Sequence, residues 1–251
     1  MIKVILHGCN GRMGQVLGEL IKEDAELEVI AGIEPSGERK NDYPVYKSLN
    51  EFEGKADVII DFSTASAIDA LVDYCEKTHT PAVLCSTGLS SEQLLRVNKL
   101  SETSAVLQSA NMSLGVNVLI KLLKDISASL FNNGFDIEIV EKHHKMKLDA
   151  PSGTALALAD AAKSGISSDI SYNFNRSEVR KKRDKDEIGI SSVRGGSIVG
   201  EHEVIFAGTD EVIEIKHSAY SRAIFAKGAI TAAKFLKGKK SGKFDMSDVV
   251  G

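Results

Sequence analysis

The sequence has no excess of positive charge: Lys and Arg number 31 against 35 Asp and Glu, a formal net charge of -4. That excludes the domain-wide basic surface that marks a nucleic-acid binder. It also lacks any stretch near the ~18 consecutive apolar residues that a membrane span requires. The N-terminal segment Met1-Ile2-Lys3-Val4-Ile5-Leu6 runs straight into a glycine-rich turn without a small-residue cleavage site, so no secretion signal is expected. Cysteine is scarce. Cys9, Cys75 and Cys85 are odd in number, widely spaced and without a C-x-x-C pair, which argues against a disulfide framework or a zinc site and for reduced thiols in a cytoplasm. No internal repeat or low-complexity segment interrupts the chain. What is present is an ordinary globular composition, 43% hydrophobic and 26% charged over 251 residues, enough for one large domain or two smaller ones.

From Lys3 to about Ser109, short apolar runs alternate with amphipathic stretches. Val4-Ile5-Leu6, Val29-Ile30-Ala31, Val58-Ile59-Ile60, Ala82-Val83-Leu84 and Ala105-Val106-Leu107 predict five buried parallel strands. Helical spacings between them, such as Met13, Val16, Leu17, Leu20 and Ile21, or Leu94, Leu95, Val97 and Leu100, predict the crossover helices. The combination implies a parallel sheet covered on both faces, a doubly wound α/β domain. After Asn111 the pattern changes. Leu114 to Phe131 predicts one long helix, and Phe135-Asp136-Ile137-Glu138-Ile139 and Glu211 to Lys216 alternate at period two, as half-exposed strands do. A smaller α+β domain with an antiparallel or mixed sheet is therefore expected between about Ser113 and Ser221, with a face available to partner subunits. Within it, the stretch from Arg176 to Glu187 contains Arg180-Lys181-Lys182-Arg183-Asp184-Lys185-Asp186, which has no apolar period and predicts a mobile solvated loop. The final helix, Arg222 to Leu236, has an Ala-rich apolar face suited to returning to the first domain.

The strand Lys3 to His7 leads into Gly8-Cys9-Asn10-Gly11-Arg12-Met13-Gly14 and then a helix. In such folds a pyrophosphate sits there: glycines let the backbone approach it, and the N–H groups of the helix N-terminus supply partial positive charge. The spacing is G-x-x-G-x-x-G, with Asn10 where the commoner fingerprint has its second glycine, so context carries the reading. Glu34 stands at the end of the second strand, 20 residues after Gly14, where a carboxylate accepts hydrogen bonds from ribose hydroxyls. The plain alternative is a tight βα turn followed by a surface acid. Asp61-Phe62-Ser63-Thr64 and Cys85-Ser86-Thr87-Gly88 lie at the C-terminal ends of the third and fourth strands, the edge along which ligands bind, although each taken alone also suits a helix N-cap.

The densest chemistry is Glu141-Lys142-His143-His144-Lys145-Met146-Lys147-Leu148-Asp149-Ala150-Pro151-Ser152-Gly153-Thr154. Two histidines and Lys147 follow a strand, and Pro151 to Thr154 open a helix from Ala155 to Ser164. This combines anion binding with acid/base chemistry: a helix N-terminus offers N–H donors to a carboxylate, Lys147 adds a point charge, and a histidine exchanges a proton near neutral pH. Zinc is the rival for paired histidines. Adjacent strand residues point to opposite faces, however, and no third ligand follows at metal spacing, so no metal is expected.

Together, Gly8-x-x-Gly11-Arg12-Met13-Gly14 and His143-His144-x-x-Lys147-x-Asp149-x-Pro151-Ser152-Gly153-Thr154-Ala155 resemble the 4-hydroxy-tetrahydrodipicolinate reductase (dihydrodipicolinate reductase) family of the diaminopimelate and lysine pathway. The resemblance spans the chain. It continues through Asp61-Phe62-Ser63, Ala110-Asn111-x-Ser113-x-Gly115-Val116-Asn117, Ser221-Arg222-x-x-Phe225-Ala226-x-Gly228-Ala229 and Gly242-Lys243-Phe244-Asp245-Met246. It implies a Rossmann-type dinucleotide-binding domain, residues 1–112 plus 222–251, with an inserted substrate-binding and tetramerisation domain, residues 113–221. It also implies a cytoplasmic homotetramer that reduces a small dicarboxylate substrate with NADH or NADPH. By position, Gly8, Cys9, Asn10, Gly11, Arg12 and Met13 would hold the pyrophosphate and Glu34 the adenosine ribose. Cys85, Ser86 and Thr87, with Ser109, Ala110, Asn111 and Met112, would border the nicotinamide. His143 would be the acid/base residue and Lys147 the proton donor, while His144, Gly153 and Thr154, with Arg222 as a further cation, would hold substrate carboxylate.

Two departures stand out. Cys85-Ser86-Thr87-Gly88 replaces the family's usual Gly-Thr-Thr-Gly, which makes the turn less permissive, and Met112 stands where Phe is common. The alternatives are another small-carboxylate dehydrogenase on the same fold and a non-catalytic NAD(P)H sensor. A sensor needs only the first domain's turn, so retention of both His143 and Lys147 argues against it.

Overall fold

In the computed structural model, which describes residues 1–177 and 180–251, each of the five apolar runs lies in a strand. The chain forms β1 (Ile2–His7), α1 (Arg12–Lys22), β2 (Leu27–Ile33), β3 (Val45–Tyr46), β4 (Val58–Asp61), α2 (Ile68–Thr78), β5 (Ala82–Leu84), α3 (Ser91–Leu100) and β6 (Ala105–Gln108). It continues with α4 (Leu114–Asn132), β7 (Asp136–His143), α5 (Gly153–Lys163), β8 (Ser171–Asn173), β9 (Glu187–Arg194), β10 (Gly200–Ala207) and β11 (Val212–Ala219). It ends in α6 (Ala223–Leu236), β12 (Gly242–Phe244) and α7 (Met246–Val250). Two compact units result, Met1–Leu114 with Ala223–Gly251, and Gly115–Arg222. These boundaries lie one or two residues beyond those expected from the sequence, where the chain enters α4 and just before α6.

The first unit is built on a seven-stranded sheet in the order β12-β6-β5-β4-β1-β2-β3, with every neighbouring pair parallel. Val4, Ile5 and Leu6 are all buried although they alternate faces, because helices cover both sides. On one face the core gathers Leu17 and Ile21 of α1 with Ala226, Ala229, Ala233 and Leu236 of α6. On the other it gathers Leu71 and Val72 of α2 with Val97 and Leu100 of α3. The small residues of α6 permit close approach: a Cβ at Gly228 would fall 1.6 Å from the Met112 carbonyl oxygen. Strand order reverses between β1 and β4, so the crevice at their C-terminal ends is the topological switch point where ligands bind in such sheets. The edge strands β3 and β12, two and three residues long, were not anticipated from apolar runs.

The second unit carries a mixed five-stranded sheet in the order β11-β10-β7-β9-β8. β10 runs antiparallel to β7 and β11, whereas β7 with β9 and β9 with β8 are parallel. Strands β8, β9 and β10 add to the two that periodicity predicted. The buried face of β7 and β10 is apolar at one end, with Ile137, Ile139, Val204 and Phe206, and packs beneath α4 and α5 through Leu119, Leu123, Leu158 and Ala162. At the other end the same face becomes polar, with Glu141, His143 and His202.

The stretch between Arg176 and Glu187, expected as a mobile solvated loop, forms no helix or strand before β9 among the described residues, and Arg180, Lys181, Lys182, Asp184, Lys185 and Asp186 are exposed. Residues 178 and 179 lie outside the described residues, but Arg176 pairs with Glu138 and Glu187. Arg183 donates to Asp136, Glu138 and the carbonyls of Ile137 and Glu187. The carboxylates on β7 and β9 thus anchor Arg176 and Arg183 within an otherwise exposed loop. Gly189 makes room for them, since a Cβ there would overlap the Glu138 carboxylate.

Candidate active site

In the first unit, every residue expected to touch a dinucleotide follows the C-terminal end of a parallel strand: Gly8 to Met13 after β1, Glu34 after β2, Cys85 to Thr87 after β5, and Ser109 to Met112 after β6. Parallel strands put these ends on one edge of the sheet. The turn after β1 fits a pyrophosphate. Gly8 has φ +79°, and a Cβ on it would lie 2.8 Å from the Phe62 carbonyl oxygen across the switch point. A Cβ on Gly14 would lie 2.3 Å from the Gly8 carbonyl oxygen, so the helix packs against the turn only because position 14 is bare. Gly11 caps α1 with extended backbone and no side-chain cap, leaving the front of the helix open. Cys9 is buried, which pushes its thiol up to about 11, while Asn10 reaches across to the Glu38 carbonyl. Arg12 is exposed, and Met13 and Glu34 are half-buried.

Beside the crevice, fully buried Asp61 at the end of β4 ties three segments together. Its oxygens receive Ser63 Oγ at 2.5 Å and Ser86 Oγ at 2.6 Å, and His7 Nδ1 lies 2.9 Å away. Burial alone would raise this carboxyl, but the contacts from His7, Ser63 and Ser86 outweigh it and hold the group below its usual range. Ser86 is thus fixed rather than mobile. The Cys85 substitution is accommodated as well: in this turn the left-handed residue is Gly88, at φ +77°, and not position 85. Further along, Ser109 Oγ donates to the Asn111 carbonyl, and Asn111 Oδ1 accepts from the Ser113 amide. Met112 is buried.

In the second unit, His143 is the last residue of β7 rather than a residue after it, and it is buried; His144 is half-buried. Glu141, two residues earlier on the same face, is fully buried with Oε2 2.5 Å from His143 Nδ1. The helix α5 begins at Gly153, two residues earlier than its periodicity suggested, because Ser152 caps it by accepting from the Ala155 amide. Ser152 also meets His202 Nε2 at 2.9 Å, and its backbone N–H donates to Glu141 Oε1. Gly153 and Thr154 form the first turn, and a Cβ on Gly153 would meet nothing within 4 Å. Lys147 is half-buried and pairs with Asp149 at 2.8 Å, which lowers the aspartate. Arg222 is exposed at the end of this unit and, among the described residues, makes no hydrogen bond or ion pair with the Glu141 cluster.

These two constellations coincide with two family matches. Residues 2–112 match the family described as "Dihydrodipicolinate reductase, N-terminus" and residues 115–250 the one described as "Dihydrodipicolinate reductase, C-terminus". The chain belongs to the dihydrodipicolinate reductase family. A 4-hydroxy-tetrahydrodipicolinate reductase of Caldanaerobacter subterraneus subsp. tengcongensis is 52% identical over 254 residues, covering 100% of this chain and 98% of the relative. One from Clostridium novyi is 48% identical over 250 residues, with the same coverage of each chain. The solved structure of a dipicolinate-bound dihydrodipicolinate reductase from Paenisporosarcina sp. TG-14 has a TM-score of 0.83 at 23% identity and covers 99% of both chains, a likeness of fold.

Within this dihydrodipicolinate reductase fold, the polar cluster includes residues to which the sequence reading gave no role. Glu141 and Ser152 lie inside the motif, and the signal for Glu141 was its place two residues before His143 on a strand. Arg194 and His202 come from β9 and β10, which periodicity did not reveal, and strand register brings them in: His143 stands opposite Arg194, and Glu141 opposite His202.

Proposed function

We propose that this chain reduces 4-hydroxy-tetrahydrodipicolinate to tetrahydrodipicolinate with NADH or NADPH, in diaminopimelate and lysine biosynthesis, with His143 as acid/base residue and Lys147 as proton donor. The observation that carries the reading is the polar end of the second unit's sheet. There His143, Lys147 and the first turn of α5 gather in a chain whose two parts both match the family. The glycine cradle supports the cofactor assignment: Gly8 to Met13 would hold the pyrophosphate, Glu34 the adenosine ribose, and the turns 85–87 and 109–112 the nicotinamide. When bound, the cofactor supplies a hydride.

The protein's own part is to hold a dianion and move a proton. Once water has left, the substrate ring carries two carboxylates and a conjugated imine, so negative charge must be met by fixed donors. The amides of Gly153 and Thr154 at the α5 N-terminus, with His144, Lys147 and Arg222, would provide them. His143 or Lys147 would deliver the proton to the ring carbon next to the one reduced. Protein incubated with enzymatically generated substrate and NADH should consume nicotinamide absorbance in proportion to substrate, and no consumption would overturn the reading.

The first unit is assigned to the dinucleotide and the second to substrate and assembly. β11 is the outer strand of its sheet, with Val212 57% and Ile213 38% exposed. An unpaired edge of this kind is a liability in a monomer. A homotetramer covering it is expected, and a monomer by light scattering at micromolar concentration would contradict that assignment. Cys9, Cys75 and Cys85 are all free, which supports a cytoplasmic location.

A further inference from the structure

Glu141, fully buried, is held by donors from three elements of the second unit. Arg194, directly across from His143 on β9, forks onto both carboxylate oxygens, Nη1 to Oε2 and Nη2 to Oε1, each at 2.7 Å. The Ser152 amide adds a bond to Oε1 at 3.1 Å. Burial would raise this carboxyl, but Arg194 foremost, then His143 and Ser192, outweigh it and hold it at about 2. An ionised carboxylate only accepts hydrogen bonds. The proton in its 2.5 Å contact with His143 therefore belongs to Nδ1 of the ring.

We propose that Glu141, clamped by Arg194, is a positioning residue that fixes His143 in its Nδ1–H form and leaves Nε2 as the nitrogen that exchanges a proton with substrate, with Gly200 keeping that nitrogen uncovered. The proposal rests on the reading of His143 as the acid/base residue. Gly200, buried at the start of β10, would bring a Cβ to 3.1 Å from His143 Nε2 and 3.4 Å from Cδ2. Any side chain there would therefore crowd the working nitrogen. The other groups around the ring do not compete for Nδ1. From β10, His202 meets it edge to face at 5.1 Å and is kept neutral by burial, its pKa pushed down to about 4. From β11, His217 pairs in register with His202 and is also lowered by burial. Lys147 in the following loop is paired with Asp149, and Ser152 on α5 faces His202. Glu141 is thus the carboxylate that answers a charge on His143.

Nitrogen-15 NMR of the whole protein with labelled histidine reads the tautomer directly, His143 being identified among six histidines by its absence from His143→Gln. At a pH where the ring is neutral, Nδ1 should carry the proton and Nε2 should show a free lone pair. In Glu141→Gln the Nδ1–H preference should be lost and turnover should fall about 10²-fold or more, with NADH affinity unchanged. The pH–rate profile of Glu141→Gln should also differ from that of the wild type, because the carboxylate beside the ring is gone. Glu141→Asp should restore the tautomer and much of the profile. A wild-type ring protonated on Nε2 would overturn the proposal, as would a Glu141→Gln variant with unaltered tautomer and profile. If Glu141→Gln fails to fold, the wild-type tautomer and the Glu141→Asp profile still decide. Full activity in His143→Gln would instead remove the acid/base reading while leaving the tautomer result standing.

Discussion

Acidification from pH 7 to pH 4.5 should weaken the second unit by roughly 2 kcal/mol through one buried ring, His202. The side chain is 5% exposed, and burial, followed by the charges of His143, His217 and Lys147, pushes its pKa from 6.5 to about 4 against an opposing pull from Glu141. Its Nδ1 has no hydrogen-bond partner among the described residues, so nothing in the fold welcomes a proton there. In the unfolded chain the same residue titrates near 6.5. Its contribution to stability is therefore fully present above that value, declines as the unfolded chain binds a proton that the folded chain refuses, and stops declining below about 4. Glu141 acts in a different window: its contribution is present above its ordinary value of 4.5 and is lost only as pH falls toward about 2. Amide hydrogen exchange of β7 and β10, corrected for the pH dependence of intrinsic exchange, reports the opening free energy of this unit. The fall between pH 7 and pH 4.5 should be larger in the wild type than in His202→Gln by roughly 2 kcal/mol. Equal falls would refute the argument, because His202 would then titrate alike in both states.

Lys147→Ala should reduce both substrate affinity and turnover, since one ammonium is assigned a carboxylate contact and a proton; an unchanged substrate KM would remove the carboxylate half of that role. Both cofactors should work, with NADH equal or better by up to about tenfold, worth ~1.4 kcal/mol. Glu34 follows a fixed strand, whereas Arg39 donates to the carbonyls of Asn41 and Asp42 and Lys40 pairs with Glu38, so a 2′-phosphate would have to draw exposed cations from existing partners. The NADPH KM should accordingly rise more steeply with salt than that of NADH, and a strong NADPH preference that survives high salt would contradict this assignment.

The sheet of the first unit was legible because helices on both faces make each strand a continuous apolar run. β3 and β12 escaped because they are too short to leave one. In the second unit the alternation of β7 and β11 was visible, but β10 was not. Its buried positions include Gly200 and His202, and its other face carries Glu201 and Glu203, so polarity does not alternate at that end. For the same reason His143 and Lys147 could be named from a local motif, while Arg194 and His202 could not. They lie more than 50 residues from Glu141 and reach it only through strand register. In the stretch from Arg176 to Glu187 charge density predicts the exposed loop that is found, but not that Glu138 and Glu187 anchor Arg176 and that Glu138 also holds Arg183, since those pairings cross between strands.

In the proposed reaction the polar cluster around His143 moves the proton. Its most direct test is His143→Gln, with steady-state turnover measured on enzymatically generated substrate beside NADH affinity by titration. Cofactor binding should stay near normal while kcat falls by roughly 10²-fold or more, the usual worth of a general acid/base residue. Turnover close to that of the wild type would contradict it.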